Sequence, residues 1–124
     1  MSEQIESGTI RIASEVVKII AGLAASEVKG VAGMSGGMVD GFAELLKKKS
    51  LAKGVKVEVG EKQCAIDLFV VIEYGAKIPD IAYQVQENVK RAVESMTGLE
   101  VVEVNVHIQG VELRNEETNE SRIL

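Results

Sequence analysis

Residues 66 to 108 read IDLFVVIEYGAKIPDIAYQVQENVKRAVESMTGLEVVEVNVHI, and two hydrophobic periods alternate along them. Ile66, Leu68, Val70 and Ile72 alternate with Asp67, Phe69, Val71 and Glu73, which is the period of a strand whose two faces meet different surroundings. Ile81, Ala82, Val85, Val89, Ala92, Val93 and Met96 then recur at helical spacing, with Pro79 and Asp80 at the start and Gly98 at the end. Val102, Val104, Val106 and Ile108 restore the period of two against Glu103, Asn105, His107 and Gln109. Such a strand-helix-strand unit crosses over in one hand and sets its two strands parallel wherever they are neighbours.

Working outward, Val55, Val57 and Val59 alternate with Lys56 and Glu58, and a polar turn at Gly60 to Gln63 folds them back as a hairpin on the strand that follows. From Ser14 to Val28, Val16, Val17, Ile20, Leu23, Ala24 and Val28 form the apolar stripe of a helix, with Ser14 placed to cap it and Gly30 to end it. Thr9 to Ile12 alternate as a short strand does. The glycines Gly30, Gly33, Gly36, Gly37 and Gly41 predict a loop or irregular strand. Met38, Val39, Phe42, Leu45 and Leu46 then mark a second, shorter helix, ended by Lys47, Lys48 and Lys49, where cations suit the carboxyl end.

The expected fold is α+β in two layers: one small mixed sheet, built from a hairpin plus the C-terminal strand, with helices packed on its apolar face. A single domain over residues 8–113 follows, between a flexible N-terminus (1–7) and an acidic, disordered tail (114–124). One core suits a chain of 124 residues, and aromatics at 3% leave Val, Ile, Leu, Ala and Met to fill it.

Composition narrows the function classes. Net charge of -5 disfavours nonspecific nucleic-acid binding, although Lys47, Lys48, Lys49, Lys53 and Lys56 form a local basic stretch without an acid. One cysteine cannot make an internal disulfide, and no export signal is seen, so a cytoplasmic protein is expected. Apolar runs fall short of the roughly 20 residues that span a bilayer, which restricts membrane contact to a peripheral one.

No acid, base and nucleophile cluster in the sequence, so no catalytic residue, cofactor or metal is expected. His107 lacks a second His or a cysteine pair to build a zinc site and reads as a solvated side chain. Cys64 reads as a small hydrophobe at a strand end. The Gly30–Gly37 loop lacks the Lys-Ser/Thr of a nucleotide-triphosphate loop; Gly30-Val31-Ala32-Gly33 matches the GXXG of one RNA-binding module, with apolar middle residues. That loop together with the Lys47–Lys56 segment is the alternative reading, a small RNA-binding module. The candidate interaction surfaces are the 38–49 helix with Phe42, Lys47, Lys48 and Lys49, whose ordinary role would be to cover the sheet as core, and a patch of Phe69 and Val71 on the face opposite Leu68 and Val70. The first helix either covers that patch as core or leaves it for a partner.

Three segments carry a family resemblance: GTIRIASEVVKIIAGLAASEVKGVAGMSG from Gly8, YGAKIPDIAYQVQENVKRAV from Tyr74, and MTGLEVVEVNVHIQGV from Met96. Together they resemble the alkaline shock protein family, the small envelope-stress and general-stress proteins of Gram-positive bacteria, in its short housekeeping type. Tyr74, Gly75, Ile78, Asn105, Gln109 and Gly110 match its recurrent pattern. The resemblance implies a cytoplasmic, non-enzymatic protein linked to envelope stress or fatty-acid metabolism; a patterned fold without catalytic residues adds the expectation of a module that acts through contacts with other proteins and forms homo-oligomers. Its partners would be a membrane-anchored protein or a lipid-synthesis enzyme.

Overall fold

A computed structural model describes residues 7–35 and 52–113. In chain order these form α1 (Ser14–Ser26), β1 (Val31–Met34), β2 (Val55–Val59), β3 (Gln63–Glu73), α2 (Ile78–Thr97) and β4 (Glu100–Glu112). The flexible segment expected before Gly8, the helix expected over 38–49 with Phe42, Lys47, Lys48 and Lys49, and the 114–124 tail lie wholly or mostly outside the described residues.

The sheet is mixed and centred on β3. One edge of β3 pairs antiparallel with β2 along its first half (Val55↔Leu68 to Val59↔Cys64) and with β1 beyond it (Met34↔Val70 to Val31↔Ile72). The other edge runs parallel to β4 from Gln63↔Glu100 to Glu73↔Glu112. The hairpin, and the parallel partnership across the helical crossover, are therefore as the periods predict.

Both helices lie on one face. Cys64, Ile66, Leu68, Val70 and Ile72 of β3 are buried against Val17, Ala21, Ala24 and Ala25 of α1 and Val85, Val89 and Val93 of α2. Each large aliphatic side chain so enclosed contributes about 1.5–3 kcal/mol, which makes this face the main source of stability. No charged or polar residue is buried among the described residues.

Several local expectations are corrected. Thr9 to Ile12 form no strand. Ser14 begins α1, but Ala13 is the cap residue and no side chain caps the end. The helix stops at Ser26, before Gly30, whose φ of 103° instead starts β1 beneath Ile81 of α2. The buried face of α1 is its small-residue side, so Val16 and Leu23 are exposed; small residues let the helix settle close to α2, where Asn88 Nδ2 donates to Ala24 O at 2.7 Å. Met96 is likewise exposed. In β4 a register shift between Cys64 and Ala65 turns Val101 inward and Val102 outward.

The open edge of β4 is blunted by α2. Lys90 Nζ donates to Val101 O (3.2 Å), Glu94 Oε2 accepts from Val101 N (2.9 Å), and Gln86 Nε2 donates to Val104 O (3.0 Å). Helix side chains thus occupy backbone groups that an edge strand otherwise offers to a neighbour.

Candidate functional site

The face of the sheet away from the helices is the distinctive surface. Alternation from the buried Leu68 and Val70 sends Ala65, Asp67, Phe69 and Val71 to the other side, where all four are half-buried. Neither described helix covers them, and Phe69 and Val71 lie outside the core cluster, so α1 does not close over this patch. Cross-strand register brings in the partners: Lys56 and Asn105 flank Asp67, and His107 flanks Phe69.

These side chains form one connected row. The Phe69 and His107 rings stack at 4.5 Å between centroids with an interplanar angle of 12°, and Lys56 Nζ lies 5.6 Å from the Phe69 centroid. His107 Nε2 is 3.1 Å from Asp67 Oδ1; the same oxygen accepts from Asn105 Nδ2 at 3.0 Å, and Asn105 also donates to Glu103 Oε2 at 2.7 Å. Hydrogen bonds from His107 and then Asn105 hold the Asp67 carboxyl below the usual carboxylate range, with the charges of His107 and Lys56 adding to the effect. His107 is therefore no free solvated residue: it is shared between a ring below and a carboxylate beside it. Its side chain keeps 42% of its exposure and that of Asp67 keeps 39%, so the pair sits on a surface rather than in a cleft.

Beyond this row the described residues leave the face bare. Val71 is flanked by Gly33 on β1 and Gly110 on β4. A Cβ on Gly33 would meet nothing within 4 Å, and one on Gly110 would touch only Val71, at 3.9 Å. The register shift at Val70/Val71 makes this possible, because it passes over Gln109 and puts Gly110 beside Val71.

The other expected sites take definite places. Cys64 is buried at the start of β3, where burial, and then the charge of Glu94, raises its thiol pKa. Gly30 to Gly33 open strand β1 rather than a phosphate-holding loop, with Gly30 O accepting from Glu73 N. Among the described residues no group of three or more His, Cys, Asp or Glu is arranged to hold a metal ion. Outside the sheet, a shallow groove of about 320 Å³ between the end of α1 and α2 is lined by Glu27, Lys29, Glu87 and Arg91 among others, whose charges balance.

Residue patterns locate Phe69 and Val71 on this face but not the stack. Which residue of β4 faces Phe69 depends on the parallel register and its two shifts, and no local signal encodes these.

Comparison with known proteins agrees with this architecture and adds a family. Residues 2–113 match the alkaline shock protein family, described as having a cell envelope-related function. The chain is 42% identical to YqhY of Bacillus subtilis over 110 residues, covering 89% of this chain and 82% of that protein. It is 38% identical to YloU of the same organism, covering 87% and 92%. With a stress response regulator gls24 homolog of Streptococcus pyogenes serotype M3 it shares 36% identity, over 88% of this chain and 62% of that longer protein. Among solved structures, a variant of the MamM CTD superposes with a TM-score of 0.50 at 16% identity, covering 80% of this chain and 96% of that one, a likeness of fold.

Proposed function

The chain belongs to the alkaline shock protein family, and on that premise we propose that it is a non-enzymatic interaction module of the cell envelope that docks other proteins through the open face of its sheet. One observation carries the proposal: an aromatic–imidazole stack and an apolar shelf are held ready on a face that no described helix covers. Apolar surface left on a sheet whose opposite face already supplies the core is surface available to a partner.

The same geometry favours binding over catalysis. The Asp67–His107 pair has the partners of a general base, yet Phe69, Asn105 and Lys56 surround it on an exposed plane, with no hydroxyl or thiol nucleophile in the row. A link to the envelope would then run through what the module binds, since no described helix is long and apolar enough to cross a membrane. A membrane-anchored protein, an enzyme of fatty-acid supply and further copies of the chain are the partner classes this reading admits, in a cytoplasmic setting.

Crosslinking in the native cell, followed by mass spectrometry, tests it with Phe69→Glu. A folded variant that loses crosslinks made by residues of β2, β3 and β4 supports the docking face. Unchanged crosslinks in a folded variant overturn it.

A further inference from the structure

The open face carries its charges in a pattern that bears on what can dock there. At one end Glu58 and Glu103 flank Ala65, and Asp67 follows on the next outward position of β3. At the other end Glu73 pairs with Glu112. Between them lie the Lys56–Phe69–His107 row and, next to the Glu73 end, the strip of Gly33, Val71 and Gly110, which the described residues leave bare. Lys56 is the only Lys or Arg on the four described strands, and it is already engaged over Phe69 and beside Asp67.

Resting on the docking-face reading, we propose that this surface binds an extended cationic peptide segment that lies along β3, places small apolar residues on the Val71 strip, and carries Lys or Arg at both ends. From Ala65 to Glu73 spans about 26 Å at ~3.3 Å per residue, the reach of an extended segment of about nine residues. The two acidic ends then meet the two cationic ends. Small residues suit the stretch over Val71, next to the Glu73 end, because the flanking glycines leave the partner backbone free to approach.

Charge on the described strands disfavours the rival occupants. A nucleic acid or an anionic lipid surface would set phosphates against Glu58, Glu103, Glu73 and Glu112. A second copy docking face to face would bring these carboxylates against their own kind.

The probe is a fluorescein-labelled decapeptide, Lys-Arg-Thr-Val-Ala-Val-Thr-Val-Arg-Lys, titrated against the full chain by anisotropy, with a control in which every Lys and Arg is Glu. The expected result is binding at least about tenfold tighter than the control and weakened by added salt, as contacts between exposed charges are. Glu58→Gln with Glu103→Gln, and separately Glu73→Gln with Glu112→Gln, each loosen it several-fold. Equal binding of the control, no binding up to about millimolar peptide, or indifference to both pairs of changes overturns the proposal.

Two further outcomes separate it from the broader reading. If the peptide fails while Phe69→Glu still abolishes native crosslinks, the face docks partners of another chemistry. If sedimentation shows a dimer that Phe69→Glu dissolves, the occupant is a second copy and the cationic segment is wrong.

Discussion

Asp67 shows how much a single surface residue changes when its neighbours are fixed by register. Two donors on one carboxylate oxygen, His107 Nε2 and Asn105 Nδ2, depress its pKa in the folded state relative to the unfolded chain. A depressed carboxylate adds stability that is present above its unfolded pKa and is lost as pH falls through the lower, folded one. His107→Ala removes the largest cause, so wild type and variant should differ most above about pH 5 and converge toward pH 2, measured as urea midpoints across that range. Because the pair is well exposed, the Asp67 share of that gap stays under about 1 kcal/mol. A gap that widens on acidification would refute the assignment. Cys64 is the opposite case, a thiol defined by enclosure. With its pKa raised by burial and by Glu94, it should react with a disulfide reagent on the order of 10³ times more slowly than a free cysteine, and lose that protection as denaturant opens the sheet. Rapid labelling of the native protein would contradict the burial.

Between elements, two glycines of like φ separate backbone strain from steric fit. Gly30 (φ 103°) precedes β1 with Ile81 of α2 pressed on it, so that a Cβ there would lie 2.5 Å from Ile81 Cδ1. Gly75 (φ 95°) follows β3 in open space. Gly75→Ala should therefore cost about 1 kcal/mol, the left-handed strain alone, whereas Gly30→Ala must also turn the end of the Ile81 side chain aside and should cost about 1.5–3 kcal/mol; chemical denaturation of both variants compares them. Equal costs would mean that the Ile81 side chain yields at no cost and only the backbone strain counts. The same elements show what a sequence can and cannot disclose. The alternation in β3 and β4 and the spacing of Val85, Val89 and Val93 are local, so strand and helix follow from them directly, and the right-handed crossover makes the two strands parallel once they are neighbours. What escapes is pairwise. The shifts that invert Val101 with Val102 and place Gly110 beside Val71 depend on how two distant strands align. The close seat of α1, which buries Ala21 and Ala25 and exposes Leu23, depends on the helix it meets. Phe69 is legible as an outward side chain, while its stack on His107 is not, because the stack is a property of register.

Taken as a whole, the molecule is a layer of helices on one side of a sheet, and its functional reading depends on the other side being free. Stability measurements can decide this without any partner. Val70 and Val71 are adjacent and chemically identical, yet Val70 is fully buried beneath the helices while Val71 lies half-buried between two glycines on the open face. Removing two methyl groups from Val70 should cost about 2 kcal/mol or more, from lost transfer energy plus the void left under α1 and α2. The same change at Val71 leaves no enclosed void and should cost less than about 1 kcal/mol. Leu68→Ala and Phe69→Ala extend the test by one step along β3: Leu68 should cost about 3–5 kcal/mol, and Phe69 the smaller sum of its stack with His107 and its half-covered ring. If Val71→Ala and Phe69→Ala prove as costly as their buried neighbours, another part of this same chain packs on that face and no partner can reach it. If instead the costs alternate along the strand, the surface that contributes least to folding is the one available for binding, and the Phe69–His107 stack is held in place for a partner.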